Sequence, residues 1–131
     1  MKTECSLIVR SYECDSYNHV NNANYLNYLE YARWEYLKDI GFNYDKAFKS
    51  GYGTYITRIE INYKKPAFTD DELIIRSWPI KKGAVSGTIA QEIWRGEDLI
   101  IEAKVTWAFI DLRGMMPARI PPEFDVPGLK P

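Results

Sequence analysis

Apolar and polar positions change period twice along the chain. Residues 5–10 alternate, with Leu7 and Val9 on one face and Ile8 on the other, which predicts a short strand. A polar stretch over 11–21 follows. From 23 to 38 there is no Gly or Pro, and Tyr25, Leu29, Ala32 and Tyr36 recur on one helical face. Leu26 and Leu37 lie on a second face, while Tyr28, Tyr31 and Trp34 fill more of the circumference. This spacing predicts a helix starting near Asn22, with Asn21 or Asn22 as its cap and Gly41 as its stop. A helix with so little polar surface is expected to be buried on several sides, inside a sheet or against a subunit partner. Residues 44–50 predict one further short helical turn before Gly51 and Gly53.

The rest of the pattern has period two. Residues 54–63 place Tyr55, Thr57, Ile59, Ile61 and Tyr63 on one face, and Lys64-Lys65-Pro66 ends the run. Strands are predicted over 72–80, 85–95 and 99–111, joined by turns at Lys81-Lys82-Gly83 and at 95–98, as an antiparallel meander. Pro79 marks an edge or a bulge. From about residue 114 the tail carries Pro117, Pro121, Pro122, Pro127 and Pro131 and is expected to be extended and irregular. One domain over 1–131 is expected. Strand, long helix, then four strands is the order of an α+β hotdog fold, a five-stranded antiparallel sheet wrapped round a long central helix.

Composition removes several function classes. A net charge of -1 gives no reason to expect nucleic acid or an anionic membrane as partner. No apolar run approaches the ~20 residues of a membrane span, and the first ten residues lack a signal-peptide core. Two cysteines cannot build a disulfide framework, and one His with two Cys is a poor zinc set. A reduced, cytoplasmic protein without metal or cofactor is the expectation. Aromatic residues make up 15% of the chain, which serves core and interface packing or a ring-lined slot for an apolar ligand.

The candidate chemistry lies within residues 12–37. Glu13, Cys14, Asp15 and the single histidine, His19, fall within seven residues, just before the helix. A helix start gathers unpaired N–H groups and the positive end of the dipole, which keeps a nearby carboxylate ionised and can stabilise an oxyanion. Asp15 therefore suits acyl transfer or hydrolysis, as nucleophile or as general base on water; the plainer reading is a turn or cap residue. His19 can orient Asp15, hold water or bind substrate, or it is a structural loop histidine. Cys14 is a possible thiol nucleophile, but neighbouring side chains of an extended segment point apart, so it reads as a packed residue. Glu30 can pair with Arg33. Lys64-Lys65 and Lys81-Lys82 can clamp a phosphorylated carrier or be solvated strand ends. No phosphate-binding glycine loop is present.

The string D-x-x-x-H-V-N-N-x-x-Y from Asp15 to Tyr25, followed by YLEYARWEYL, resembles the hydroxybenzoyl-CoA thioesterase family of hotdog proteins, and within it the bacterial long-chain acyl-CoA thioesterases. The segments INYKKPAFTDDELII (61–75), AFIDL (108–112) and ARIPPE (118–123) extend the resemblance along the chain. It implies hydrolysis of an acyl-CoA to free acid and CoA, without cofactor, by a homodimer or homotetramer with interface active sites. Asp15 matches the catalytic aspartate, and Asn22 the position whose backbone N–H polarises the thioester carbonyl. His19 matches the histidine of the H-V-N-N form, similar to that of plant acyl-carrier-protein thioesterases, which carry Asn where this chain has Tyr17. Tyr25, Tyr28 and Leu29 become candidate acyl contacts, and the lysine pairs candidate contacts to CoA phosphates. Two further readings stand beside this one: an acyl-carrier-protein thioesterase, and a non-catalytic acyl-CoA-binding protein.

Overall fold

The computed structural model describes residues 2–131. Its elements are β1 (Thr3–Ile8), α1 (Asn22–Asp39), α2 (Tyr44–Lys49), β2 (Tyr52–Tyr63), β3 (Glu72–Lys82), β4 (Ser86–Arg95), β5 (Asp98–Asp111) and β6 (Met116–Pro117). The five long strands form one antiparallel sheet in the order β1-β3-β4-β5-β2. This is the hotdog fold, with α1 as its one long helix.

The sheet extends the expectation in two places. A short sixth strand, β6, pairs Ile110 with Pro117 and Asp111 with Met116. Lys81 and Lys82 belong to β3 rather than to the turn after it. Pro79 lies where the β3–β4 register shifts, since a residue without an N–H is accommodated at a bulge. A second shift between Ile56 and Arg58 leaves Thr57 out of the β2–β5 pairing and breaks the alternation read from the sequence.

Two apolar clusters lie between helix and sheet, one toward each end. The first gathers Val9, Val20, Tyr25, Tyr28, Leu29, Ala67 and Leu73 with the adjoining parts of β3, β4 and β5. The second gathers Tyr36, Phe42, Ile89, Trp107 and Phe109 with Ile120, Phe124 and Leu129 from the tail. Each large side chain buried in them contributes roughly 1.5–3 kcal/mol. Gln91, fully buried, ties helix to sheet between them. Its Nε2 donates to the Leu29 carbonyl (3.1 Å) and to Ser77 Oγ (3.0 Å), and its Oε1 accepts from Arg33 Nη1 (3.2 Å). Arg33 is engaged there rather than in an ion pair with Glu30.

One expectation is corrected. The tail is not merely extended: it closes the second cluster, and Tyr36 Oη donates to the Gly128 carbonyl at 2.7 Å. A Cβ at Gly128 would collide with Ile40 Cβ, so only glycine lets the tail approach α1 this closely. In the single chain the buried face of α1 is the one against the sheet. Leu26, Tyr31 and Trp34 remain about 40% exposed (40%, 43% and 43%), because the sheet covers only the Tyr25–Tyr36 face.

Candidate active site

The stretch from Cys14 to Val20 is a miniature hairpin. Cys14 bridges Val20, the Asp15 N–H donates to the His19 carbonyl at 2.8 Å, and the Asn18 N–H donates to the Asp15 carbonyl at 3.0 Å. That leaves Ser16, Tyr17 and Asn18 as a three-residue loop, and Asn18 takes the left-handed conformation (φ 64) such a loop needs at its end. Asp is favoured at the first position of the turn, and Asn tolerates positive φ better than most residues. Asp15 Oδ1 accepts from the N–H groups of Tyr17 (2.9 Å) and His19 (3.3 Å). Among the described residues nothing bonds to Oδ2. One half of the carboxylate thus fixes the turn and the other half is free. Asp15 itself is exposed.

The helix start is equally specified. The Val20 N–H donates to the Ala67 carbonyl and the Asn21 N–H to the Glu13 carbonyl, both at 2.9 Å. Asn21 is the cap: its Oδ1 accepts from the Ala23 N–H at 2.9 Å. Asn22 is therefore the first helical residue, and its N–H is one of the unpaired donors of the first turn, with no acceptor among the described residues. Asp15, His19, Val20, Asn22, Tyr25, Tyr63, Lys64, Lys65 and Pro66 line one open cleft of about 300 Å³. The His19 ring rests edge-on against Phe68, 5.1 Å between centroids. Tyr25 Oη accepts from the Ala67 N–H at 3.1 Å, and burial pushes its hydroxyl pKa up, so it stays a neutral phenol. Lys65 Nζ lies 2.8 Å from Asp98 Oδ1 at the surface, whereas Lys64 makes no ion pair among the described residues.

Six of the residues singled out in the sequence thus share a cleft; four do not. Tyr28 faces a different groove, beside β1, and its Oη donates to Glu13 Oε1 at 2.9 Å. Burial and the Glu13 carboxylate raise that phenol far above the usual tyrosine range. Leu29 is fully buried in the first cluster, without access to the cleft. Lys81 and Lys82 lie toward the other end of the sheet. Lys82 pairs with Gly87, Gly87 with Trp107, and Tyr63 of the cleft with Ile101, six residues back along β5, or ~20 Å. Lys82 is also committed: its side chain is 9% exposed and its Nζ lies 3.2 Å from Asp125 Oδ1. Cys14 turns away, with Sγ 3.4 Å from Thr69 Oγ1. Tyr63 and Pro66 line the cleft without having been singled out. The hairpin itself was legible in D-S-Y-N, a turn-opening Asp with an Asn three residues on.

A more enclosed apolar cavity of about 60 Å³ lies at the second cluster, between Arg33, Leu37, Ile56, Ile89, Trp107, Phe109 and the tail. It contains no paired acid, base or nucleophile. The open cleft instead brings together a carboxylate, an imidazole and the first N–H of α1.

Residues 9–127 match the Thioesterase-like superfamily. The chain belongs to this superfamily. It is 36% identical over 108 residues to the long-chain acyl-CoA thioesterase FadM of Escherichia coli, a match covering 80% of this chain and 80% of that protein. It is 32% identical over 126 residues to the chloroplastic acyl-acyl carrier protein thioesterase ATL3 of Arabidopsis thaliana, covering 90% of this chain. The chain spans only 63% of that plant relative's length. Among solved structures, a probable thioesterase from Bartonella henselae superposes with a TM-score of 0.85 at 28% identity, over 92% of this chain and 100% of that one.

Proposed function

We propose that this thioesterase-superfamily member hydrolyses acyl-CoA thioesters, most readily fatty acyl ones, to the free acid and CoA. The observation that carries the reading is the half-free carboxylate of Asp15 in one cleft with the unpaired N–H of Asn22. With the thioester carbonyl oxygen at the helix start, the Asn22 N–H stabilises the negative charge that develops on it. Asp15 Oδ2 then either removes a proton from water as the water oxygen attacks the carbonyl carbon, or attacks that carbon itself. In both routes the C–S bond breaks and its electron pair leaves on the CoA sulfur, which takes a proton from the Asp15 carboxyl in the direct route and from solvent water in the covalent one. The direct route yields the acid at once; the covalent route leaves an Asp15 anhydride that water then opens. Oxygen-18 incorporated into Asp15 during a single turnover in labelled water distinguishes the covalent route. His19, packed on Phe68 at the cleft wall, orients water or the thioester.

Lys64 and Lys65 are the cationic residues at the cleft and serve as contacts for CoA phosphates, Lys65 exchanging Asp98 for phosphate. Tyr25 and Tyr63 supply an apolar wall beside the thioester. We assign Lys82 to the fold rather than to the substrate. The protein acts as a homo-oligomer, and β2 is its seam. This twelve-residue strand ends the sheet, and Tyr55, Ile56 and Tyr63 on it are 46%, 42% and 47% exposed, more apolar surface than an unpaired edge normally shows. Free, partly buried Cys5 and Cys14 suit the reducing cytoplasm.

Thiol release from acyl-CoAs of graded chain length tests the reading. Turnover that rises with chain length is expected. Tight binding without turnover would instead make the protein an acyl-CoA binder. The similarity to ATL3 favours a second reading, acyl groups delivered on a carrier protein, and faster turnover of acyl-carrier protein than of matched acyl-CoA would establish it. A monomeric mass in solution would contradict the β2 seam.

A further inference from the structure

The Asp15 hairpin is held from outside itself. The loop 66–71 runs alongside it, bridged at His19–Phe68, and is itself anchored by Arg95, whose Nη1 donates to the Pro66 carbonyl (3.0 Å) and to Asp71 Oδ2 (2.9 Å). Asp71 Oδ2 also accepts from the Phe68 N–H at 2.9 Å, so the loop has little freedom. From this loop the half-buried Thr69 reaches the hairpin. Its Oγ1 donates to Asn18 Oδ1 at 2.7 Å, and Cys14 Sγ lies 3.4 Å from the same oxygen of Thr69. Because the Thr69 proton is engaged with Asn18, the thiol is the donor in the second contact. The chain of donors runs Cys14, Thr69, Asn18, and it spans the hairpin from its first strand to the left-handed residue at its tip.

Asn18 carries the strain of that loop (φ 64). Its conformation fixes the plane of the next peptide, and with it the direction of the His19 N–H that holds Asp15 Oδ1. Releasing Asn18 lets the turn relax and Asp15 rotate, so that Oδ2 no longer keeps one direction in the cleft. We propose that Thr69 is a positioning residue for the hydrolysis: through Asn18 it fixes the turn that orients the free carboxylate oxygen of Asp15, without touching substrate. This rests on Asp15 being the reacting carboxylate.

The test compares Thr69→Val, Thr69→Ser and Asn18→Gly with the parent and with Asp15→Asn, in thiol release from one acyl-CoA. Thr69→Val keeps shape and removes the hydroxyl; Asn18→Gly keeps positive φ and removes the amide. Misplacing a reacting group by a fraction of an ångström is expected to lower kcat about tenfold in both, with KM within about twofold of the parent. Thr69→Ser restores kcat to within about twofold, and the double variant Thr69→Val/Asn18→Gly is no slower than either single one, since the two act as one contact. Parent-like kcat in Thr69→Val, with Asp15→Asn inactive, overturns the proposal while leaving the Asp15 reading intact. Parent-like turnover in Asp15→Asn as well overturns the reading beneath it. Failure of Thr69→Ser to rescue, or a raised KM with unchanged kcat, also overturns the positioning role. If Thr69→Val does not fold, Asn18→Gly decides alone: a tenfold loss supports the clamp, and parent kcat overturns it.

Discussion

The two ends of the sheet carry the same dipeptide and treat it differently. Lys64-Lys65 follows β2 at an open end, exposed beside Asp15, with Lys65 in a surface pair to Asp98. Lys81-Lys82 closes β3 at the other end, where the tail packs Ile120, Phe124 and Leu129 into the second apolar cluster. There Lys82 is withdrawn from water toward Asp125, whose Oδ1 has no hydrogen-bond partner beyond this ion pair. One end leaves Lys64 without an ion pair among the described residues beside an open cleft; at the other the returning tail takes up Lys82, while Lys81 stays exposed. Residue type alone assigns both pairs the same task. What decides is whether the chain returns to cover them.

Variants at the two ends should therefore fail in different ways. Asp15 aside, the largest effect is expected from Asn22→Pro. Proline suits the first helical position and the extended Asn21 before it (φ -61, ψ 136), so the helix survives while one N–H is lost. Loss of the proposed oxyanion donor should lower kcat by about 10²–10³ with the melting temperature nearly unchanged. At the closed end, Lys82→Met should leave kcat of the folded protein unchanged but cost about 1–3 kcal/mol in chemical denaturation, because Asp125 loses its cation. Lys64→Ala should raise KM for acyl-CoA several-fold, about 0.5–1 kcal/mol, with less effect at high salt; Lys65→Ala should do less, since Asp98 already competes for it. An equal KM effect from Lys81→Ala would erase the distinction between the ends.

A separate effect concerns alkaline stability. Burial, reinforced by the Glu35 and Asp39 carboxylates, pushes the Cys5 thiol up to about 11 from an ordinary 9.0. Burial likewise pushes the Tyr36 hydroxyl up to about 12 from 10.0. Both groups stay protonated in the native state where the unfolded chain would ionise them. Their contribution is complete below pH 9.0 and 10.0 respectively, and is lost as pH rises through about 11 and about 12. Denaturation midpoints should fall across that range, and Cys5→Ala should flatten the part between 9.0 and about 11.

Much of the fold and of the cleft was legible in the chain because the signals are local. The helix start shows in the asparagines at 21 and 22, the long strands in their alternation, and the left-handed tip in the Asn three residues after Asp15. What stayed hidden depends on partners far away in sequence. Thr69 reaches Asn18 across 51 residues, Gln91 reaches the Leu29 carbonyl across 62, and Tyr36 finds Gly128 across 92. Lys82 meets Asp125 only because the proline-rich tail folds back, which its composition argued against. Leu29 and Tyr28 face away from the cleft because a helix turning 100° per residue presents only Asn22 and Tyr25 to it.

Asp15 holds a turn and, in the proposed hydrolysis, carries the reaction, and one substitution separates the two. In Asp15→Asn the side-chain oxygen can still accept from the Tyr17 and His19 N–H groups, so the hairpin should persist, while the amide neither attacks a carbonyl nor takes a proton from water. Thermal unfolding and acyl-CoA thiol release measured on the same Asp15→Asn preparation should give a melting temperature near that of the parent and a kcat lower by about 10²–10⁴. A parent-like melting temperature with parent-like turnover would contradict the proposed role and leave Asp15 as a turn residue only.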